Sequence, residues 1–136
     1  MPKICRVVVV EDNADIRELL GNVFEREGYR FAMVEGGDGL RQALLDGDVD
    51  VVVIDVLLRR ESGLDLAREA GAAGCGVVLT TGDHSYAERL AASGHKHILK
   101  PYRLGELLAV VEAALEESRI NCTIKHRRFG LDSAQL

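Results

Sequence analysis

Cysteine is scarce in this 136-residue sequence: Cys5, Cys75 and Cys122 are odd in number, far apart and in no C-x-x-C arrangement. That pattern supports neither a disulfide framework nor a thiolate zinc site, and it fits a reducing, intracellular compartment. Long apolar runs are also missing. No segment approaches the roughly 18 uninterrupted apolar residues of a membrane span, and the N-terminal MPKICRVVVVEDN lacks the pattern of a signal peptide. The expectation is a soluble, cytoplasmic protein that makes no use of a membrane. Nor is there an excess of positive charge. Seventeen Lys and Arg against 22 Asp and Glu give a net charge of -5, which disfavours a nucleic-acid surface covering the protein, so no direct DNA binding is expected.

What the sequence does have is a repeated alternation. With 47% hydrophobic residues the chain can bury one core, and its length suits one domain rather than two. Five short β-branched runs, ICRVVVV (4–10), RFAMV (30–34), VDVVVID (49–55), GVVLT (76–80) and HIL (97–99), are each followed by a helical segment. Ile16, Leu19, Leu20, Val23 and Phe24 form one apolar stripe before Gly28, and Leu104, Leu107, Leu108, Val111 and Leu115 form another. Weaker helices are expected near 39–46, 64–73 and 84–93. Strands that are apolar throughout, separated by helices, imply a parallel sheet covered on both faces. Right-handed crossovers and this element count give an α/β, flavodoxin-like (βα)5 fold with strand order 2-1-3-4-5. Ligands in such a fold bind beyond the carboxyl ends of the strands, where the winding reverses between strands 1 and 3. After Ser118 the apolar period is lost and a basic cluster, Lys125 to Arg128, appears. Residues 1–118 are therefore expected to be the domain and 119–136 a C-terminal tail or linker.

The first strand ends in Glu11 and Asp12, and the third ends in Asp55. On this topology three carboxylates meet at one sheet edge, where they raise one another's pKa unless a cation lies among them. Hard oxygen ligands suit Mg²⁺. Singly, each acid has an ordinary explanation: Asp12 or Asn13 could cap the next helix, and Asp55 could be a solvated loop acid. Thr80 and Thr81 at the end of the fourth strand and Lys100 at the end of the fifth add a hydroxyl and an ammonium to the same edge. That inventory suits phosphoryl transfer with Asp55 as carboxylate nucleophile.

From about Lys3 to Ser118 the chain resembles the receiver domain of two-component response regulators, of the stand-alone single-domain type. The likeness rests on the Glu11-Asp12 pair, Asp55 with Gly63 eight positions later, TTG after the fourth strand and LKP at 99–101. The resemblance implies that Asp55 is the phospho-acceptor for a sensor histidine kinase or phosphotransfer protein. It likewise implies a Mg²⁺ (or Mn²⁺) site made of Glu11, Asp12, Asp55 and the backbone carbonyl of Leu57. Thr81, followed by the small Gly82, would be the switch hydroxyl, Lys100 the phosphate-contacting lysine, and His97 would occupy the switch position. Phosphorylation would change the face built from the fourth helix, fifth strand and fifth helix, which would bind a downstream protein or form a weak homodimer. Such a protein is not an enzyme acting on a separate substrate; it catalyses only its own phosphorylation and dephosphorylation.

Three departures stand beside the likeness. Arg59, four positions after the acceptor, replaces the family's frequent proline and is followed by Arg60, which makes that loop more flexible and more basic. His97 replaces the usual aromatic. The interval from Thr81 to Lys100, 19 residues, is short by a few, so the fourth helix or its flanking loops should be trimmed. These departures support an alternative, a degenerate receiver that docks proteins independently of phosphorylation. A zinc site on His84, His95 and His97 is disfavoured because the H-x-H pair has no third ligand at suitable spacing. An aspartyl phosphatase or a dinucleotide-binding enzyme is disfavoured because the first strand is followed by neither D-x-D nor G-x-G-x-x-G.

Overall fold

The central strands bury both of their faces, and the placement of every helix follows from that. The structure, a computed structural model, describes residues 6–129, with side chains described through Ser118. The strands β1 (Arg6–Val10), β2 (Arg30–Val34), β3 (Val51–Asp55), β4 (Gly76–Thr81) and β5 (Lys96–Leu99) form one sheet in the order β2-β1-β3-β4-β5. All four pairings are parallel, as the alternation of elements implied. The helices are α1 (Ala14–Arg26), α2 (Gly37–Asp46), α3 (Gly63–Ala72), α4 (Ala87–Ala92) and α5 (Leu104–Phe129).

Strand alternation divides the core into two layers. On one face Val7, Val9, Val51, Val53 and Val78 pack against Leu20 and Phe24 of α1 and Leu107, Val111 and Leu115 of α5. On the other, Val8, Val10, Val52, Ile54 and Leu79 pack against Leu40 of α2, Leu66 and Ala70 of α3 and Leu90 of α4. The register pairs Val10 with Ile54, Asp55 with Thr80, and Thr81 with Leu99. The strands therefore end nearly level, and the residues just beyond them emerge together.

Two elements differ from the sequence expectation. The helix expected over 84–93 is a single 3-10 turn, His84–Tyr86, followed by the six residues of α4; this is the shortening that the 19-residue interval called for. The last helix does not stop where the apolar period does, because its backbone stays helical to Phe129. Loss of period removes a buried face but does not break a helix, and residues 119–129 contain no Pro or Gly before Gly130. The side chains of Lys125–Arg128 and Cys122, the residues 130–136 and the residues 1–5, including Cys5, lie outside the described residues. No helix among the described residues is long and apolar enough to cross a membrane.

One glycine fixes how the β3–α3 loop closes. Gly63 N–H donates to Val56 O at 3.0 Å, and a Cβ on Gly63 would lie 2.2 Å from the Asp55 carbonyl oxygen and 2.7 Å from Val56 Cα. Both neighbours are backbone atoms at the end of a central strand, so neither can move aside cheaply. Gly63→Ala is expected to lower stability by about 2 kcal/mol or more, read as a fall in the urea midpoint. A midpoint equal to that of the parent would show that the loop absorbs the methyl group.

Candidate functional site at the carboxyl edge of the sheet

Glu11 continues β1 by one residue beyond the strand. Its N–H donates to Val34 O at 3.0 Å, and its own carbonyl accepts from Arg17 Nη1 of α1 at 2.8 Å. Held in this way, Glu11 is only 3% exposed, although it is a charged residue type that is seldom buried without a partner. The next helix is capped by Asn13, whose Oδ1 accepts from Ile16 N–H at 3.1 Å. Asp12 is thereby left out of the cap and projects from the sheet edge.

Lys100 joins two of the acids. Its Nζ lies 3.0 Å from Glu11 Oε1 and 2.9 Å from Asp55 Oδ2, while Asp55 Oδ1 accepts Leu57 N–H at 2.9 Å. The lysine is placed by β5: its backbone N–H donates to Thr81 O at 2.8 Å, and its carbonyl lies 3.0 Å from His84 Nε2. The peptide bond from Lys100 to Pro101 is cis. Asp12 stands apart from this bridge, accepting Arg59 N–H at 2.9 Å, with Arg59 Nε at 3.8 Å.

The electrostatics follow from burial. Desolvation pushes the Glu11 carboxyl above its ordinary value of 4.5, against the lowering effect of the Lys100 ammonium, and Asp55 adds to the rise. For Lys100, burial alone would lower the ammonium, yet its hydrogen bonds and ion pairs to Asp55 and Glu11 prevail and hold it above 10.5. Lys100 is thus a permanent cation between two carboxylates. One oxygen, Glu11 Oε2, is buried with no hydrogen-bond partner, and such an atom calls for a ligand.

The site opens into a cavity of about 750 Å³ lined by Asp55, Leu57, Gly82, Asp83, His84 and Lys100. Of the residues named from sequence, Glu11, Asp55 and Lys100 meet directly, and Leu57 borders them. Thr81 is fully buried, with Oγ1 accepting Asp83 N–H at 3.1 Å, and it does not line the cavity. His97 lies on β5 opposite Leu79, away from the acids. Asp83 was not singled out from sequence and His84 was weighed only for a disfavoured zinc site, although both directly follow TTG at a strand end. Glu61 was also missed. Its Oε2 accepts Gly37 N–H at 2.6 Å, supplying α2 with the N-terminal partner that Gly36 cannot provide; the signal was a helix start preceded only by glycines.

Because folding raises the Glu11 pKa, the folded state favours the neutral acid. That contribution to stability is fully present below about pH 4.5 and is lost as pH rises through the raised folded value. Glu11→Gln, assayed in chelator at pH 7, is therefore expected to have a higher urea midpoint than the parent, with the margin narrowing as pH falls through the raised folded value and closing by about pH 4.5. A variant less stable than the parent at pH 7 would mean that the Lys100 ion pair outweighs desolvation.

Residues 7–112 match the family described as "Response regulator receiver domain". The chain is 29% identical to the transcriptional regulatory protein GltR of Pseudomonas aeruginosa, across 95% of this chain and 62% of that protein. It is 30% identical to the TorCAD operon transcriptional regulatory protein TorR of Escherichia coli K12, across 80% of this chain and 49% of that protein. This chain therefore spans about half to three fifths of the length of these relatives. Among solved structures, the receiver domain of the TMAO respiratory system response regulator TorR superposes with a TM-score of 0.75 at 30% identity, covering 83% of this chain and 98% of that one. The response regulator TrrA of Thermotoga maritima, in complex with Mg(2+)-BeF, gives 0.72 at 28% identity, covering 82% and 99%. With more than half of its length matched and the sheet order and acidic edge in place, the chain belongs to the response regulator receiver domain family of two-component signalling.

Proposed function

We propose that Asp55 accepts a phosphoryl group from a phosphohistidine on a sensor histidine kinase or phosphotransfer protein. The observation that carries this is the state of the Asp55 carboxylate, ionically paired to Lys100 at 2.9 Å and facing an open cavity. In the transfer, an Asp55 carboxylate oxygen forms a bond to phosphorus as the P–N bond to the donor imidazole breaks, and the imidazole leaves with a proton. Lys100 Nζ, already 2.9 Å from Asp55 Oδ2, would meet the transferred oxygens as they gather charge. The Thr81 hydroxyl, whose Oγ1 accepts Asp83 N–H, would donate its O–H to a phosphoryl oxygen, drawing β4 and the start of α4 toward the site. The face formed by α4, β5 and α5, with His97 on β5, would then change its affinity for a downstream protein or for a second copy. On this reading the chain turns over no separate substrate.

The donor set fits a divalent cation, Mg²⁺ or Mn²⁺. Glu11 Oε2 is buried without a partner, and Glu11, Asp12, Asp55 and the Leu57 carbonyl are all hard oxygen donors. Such an ion would neutralise charge on the transferred group. Among the described residues no ready cluster of three His, Cys, Asp or Glu ligands is formed. Lys100 stands between Glu11 and Asp55, and Arg59 holds Asp12.

Intact-mass measurement after incubation with acetyl phosphate is expected to show one adduct of about 80 Da, the mass of a phosphoryl group. It should require Mg²⁺ and be absent from Asp55→Asn. If no adduct forms and a beryllium-fluoride mimic fails to bind, the phosphorylation-independent docking module becomes the better account.

A further inference from the structure

We propose that the β3–α3 loop is an internal latch that competes with the divalent cation for Asp12, so that Arg59 sets the cation affinity of the site. This rests on the reading of the acidic edge as a cation site. The loop runs from Val56 to Ser62 and is narrowed by an isolated bridge between Leu57 and Ser62. It is fastened at two points. At one, Asp12 Oδ2 accepts Arg59 N–H at 2.9 Å, with the exposed guanidinium 3.8 Å away. At the other, Glu61 Oε2 accepts Gly37 N–H at 2.6 Å, and Glu61 Oε1 lies 3.9 Å from Arg41 Nη2.

The second fastening is a fitted socket. A Cβ on Gly37 would lie 2.2 Å from Glu61 Oε1, and one on Gly36 would lie 2.8 Å from Glu61 Oε2. The glycines therefore leave the space that the Glu61 carboxylate fills. Arg41 in turn binds both oxygens of Glu69 on α3 at 2.9 Å, which ties α2 to α3 around the loop. The latch is thus held to α2 by Glu61 and reaches across to Asp12 with Arg59.

On this proposal, drawing Asp12 inward toward a cation breaks the Oδ2 bond to Arg59 N–H, and the cation binds beside a guanidinium. Both effects reduce the population of competent sites, and the apparent affinity falls by that fraction. The alternative is that Arg59 N–H orients Asp12 for the metal, and it predicts the opposite sign.

Three variants separate the contributions. Arg59→Pro removes both the N–H and the guanidinium, Arg59→Ala removes the guanidinium alone, and Glu61→Gln loosens the far anchor without touching Asp12. Mg²⁺ affinity, measured by calorimetry on the unphosphorylated chain, is expected to rise about tenfold or more for Arg59→Pro, as befits a charge-assisted hydrogen bond. It should rise about twofold to fivefold for Arg59→Ala, as befits an exposed ion pair. For Glu61→Gln affinity should also rise, although removing a nearby negative charge would by itself weaken cation binding. Amide exchange at Gly37 should quicken when Mg²⁺ binds the parent.

Asp12→Asn serves as the control. If the parent binds Mg²⁺, loses it in Asp12→Asn, and shows unchanged or lower affinity in Arg59→Pro and Glu61→Gln, the latch is overturned while the cation site stands. If neither the parent nor any variant binds Mg²⁺, the cation site and the latch are overturned together. Arg59→Pro that fails to fold leaves Glu61→Gln to decide the sign.

Discussion

The Lys100 ammonium between Glu11 and Asp55 is the contact on which the rest of the site depends. A parallel sheet whose central strands end level brings their terminal residues together, and here those residues are carboxylates. Without a cation the buried Glu11 and the neighbouring Asp55 would face each other as unscreened like charges. Lys100, at 3.0 and 2.9 Å, stands between them as the shared counter-charge. Its own position follows from β5 and from Thr81 O, so the charge balance at one end of the sheet is maintained by a strand three places from β1.

Packing makes this arrangement rigid. The valines of β1 and β3 are almost fully buried on both faces, so the strands that carry Glu11 and Asp55 cannot slide or tilt without opening one of the two core layers. The loops beyond the strands are held differently. Asp12 leaves the sheet, α1 takes its cap from Asn13, and the β3–α3 loop is fastened through polar contacts at its edges. Strength is therefore graded, with apolar packing beneath the acids and exchangeable hydrogen bonds around them. On the proposed reading, a site that admits an ion or a phosphoryl group needs its give in the second layer and not in the first.

The fold was legible in the sequence because periodicity reports burial, and in this chain burial determines nearly everything about the sheet. Runs such as RVVVV and VVVID admit no half-exposed strand, and their ends name Glu11, Asp12 and Asp55 directly. Thr81 and Lys100 were legible for the same reason. The Asp12–Arg59 and Glu61–Gly37 contacts were not, since each joins residues from different loops whose backbone path no periodicity encodes. The end of α5 escaped in another way: its apolar stripe ends near Ser118, while the helix continues to Phe129 because nothing in that stretch breaks it. The orientation of Thr81, turned to Asp83 N–H and away from the cavity, likewise depends on a hydroxyl rotamer that sequence does not specify.

The charges at the edge bear on the proposed cation. Among the described residues the carboxylates of Glu11, Asp12 and Asp55 pair with Lys100 and Arg59, so these five groups, all ionised, leave a single negative charge. On the proposed reading, phosphorylation would replace the Asp55 carboxylate with a group of nearly twice its charge and would draw Lys100 toward the new oxygens. Glu11, already carrying one buried oxygen without a partner, would then lose its Lys100 counter-charge. Arg59 cannot take its place while Asp12 holds it at the rim. A divalent ion beside Glu11 resolves both deficits at once, which is why metal binding and phosphoryl acceptance would be coupled in this chain through Lys100 as well as through shared ligands.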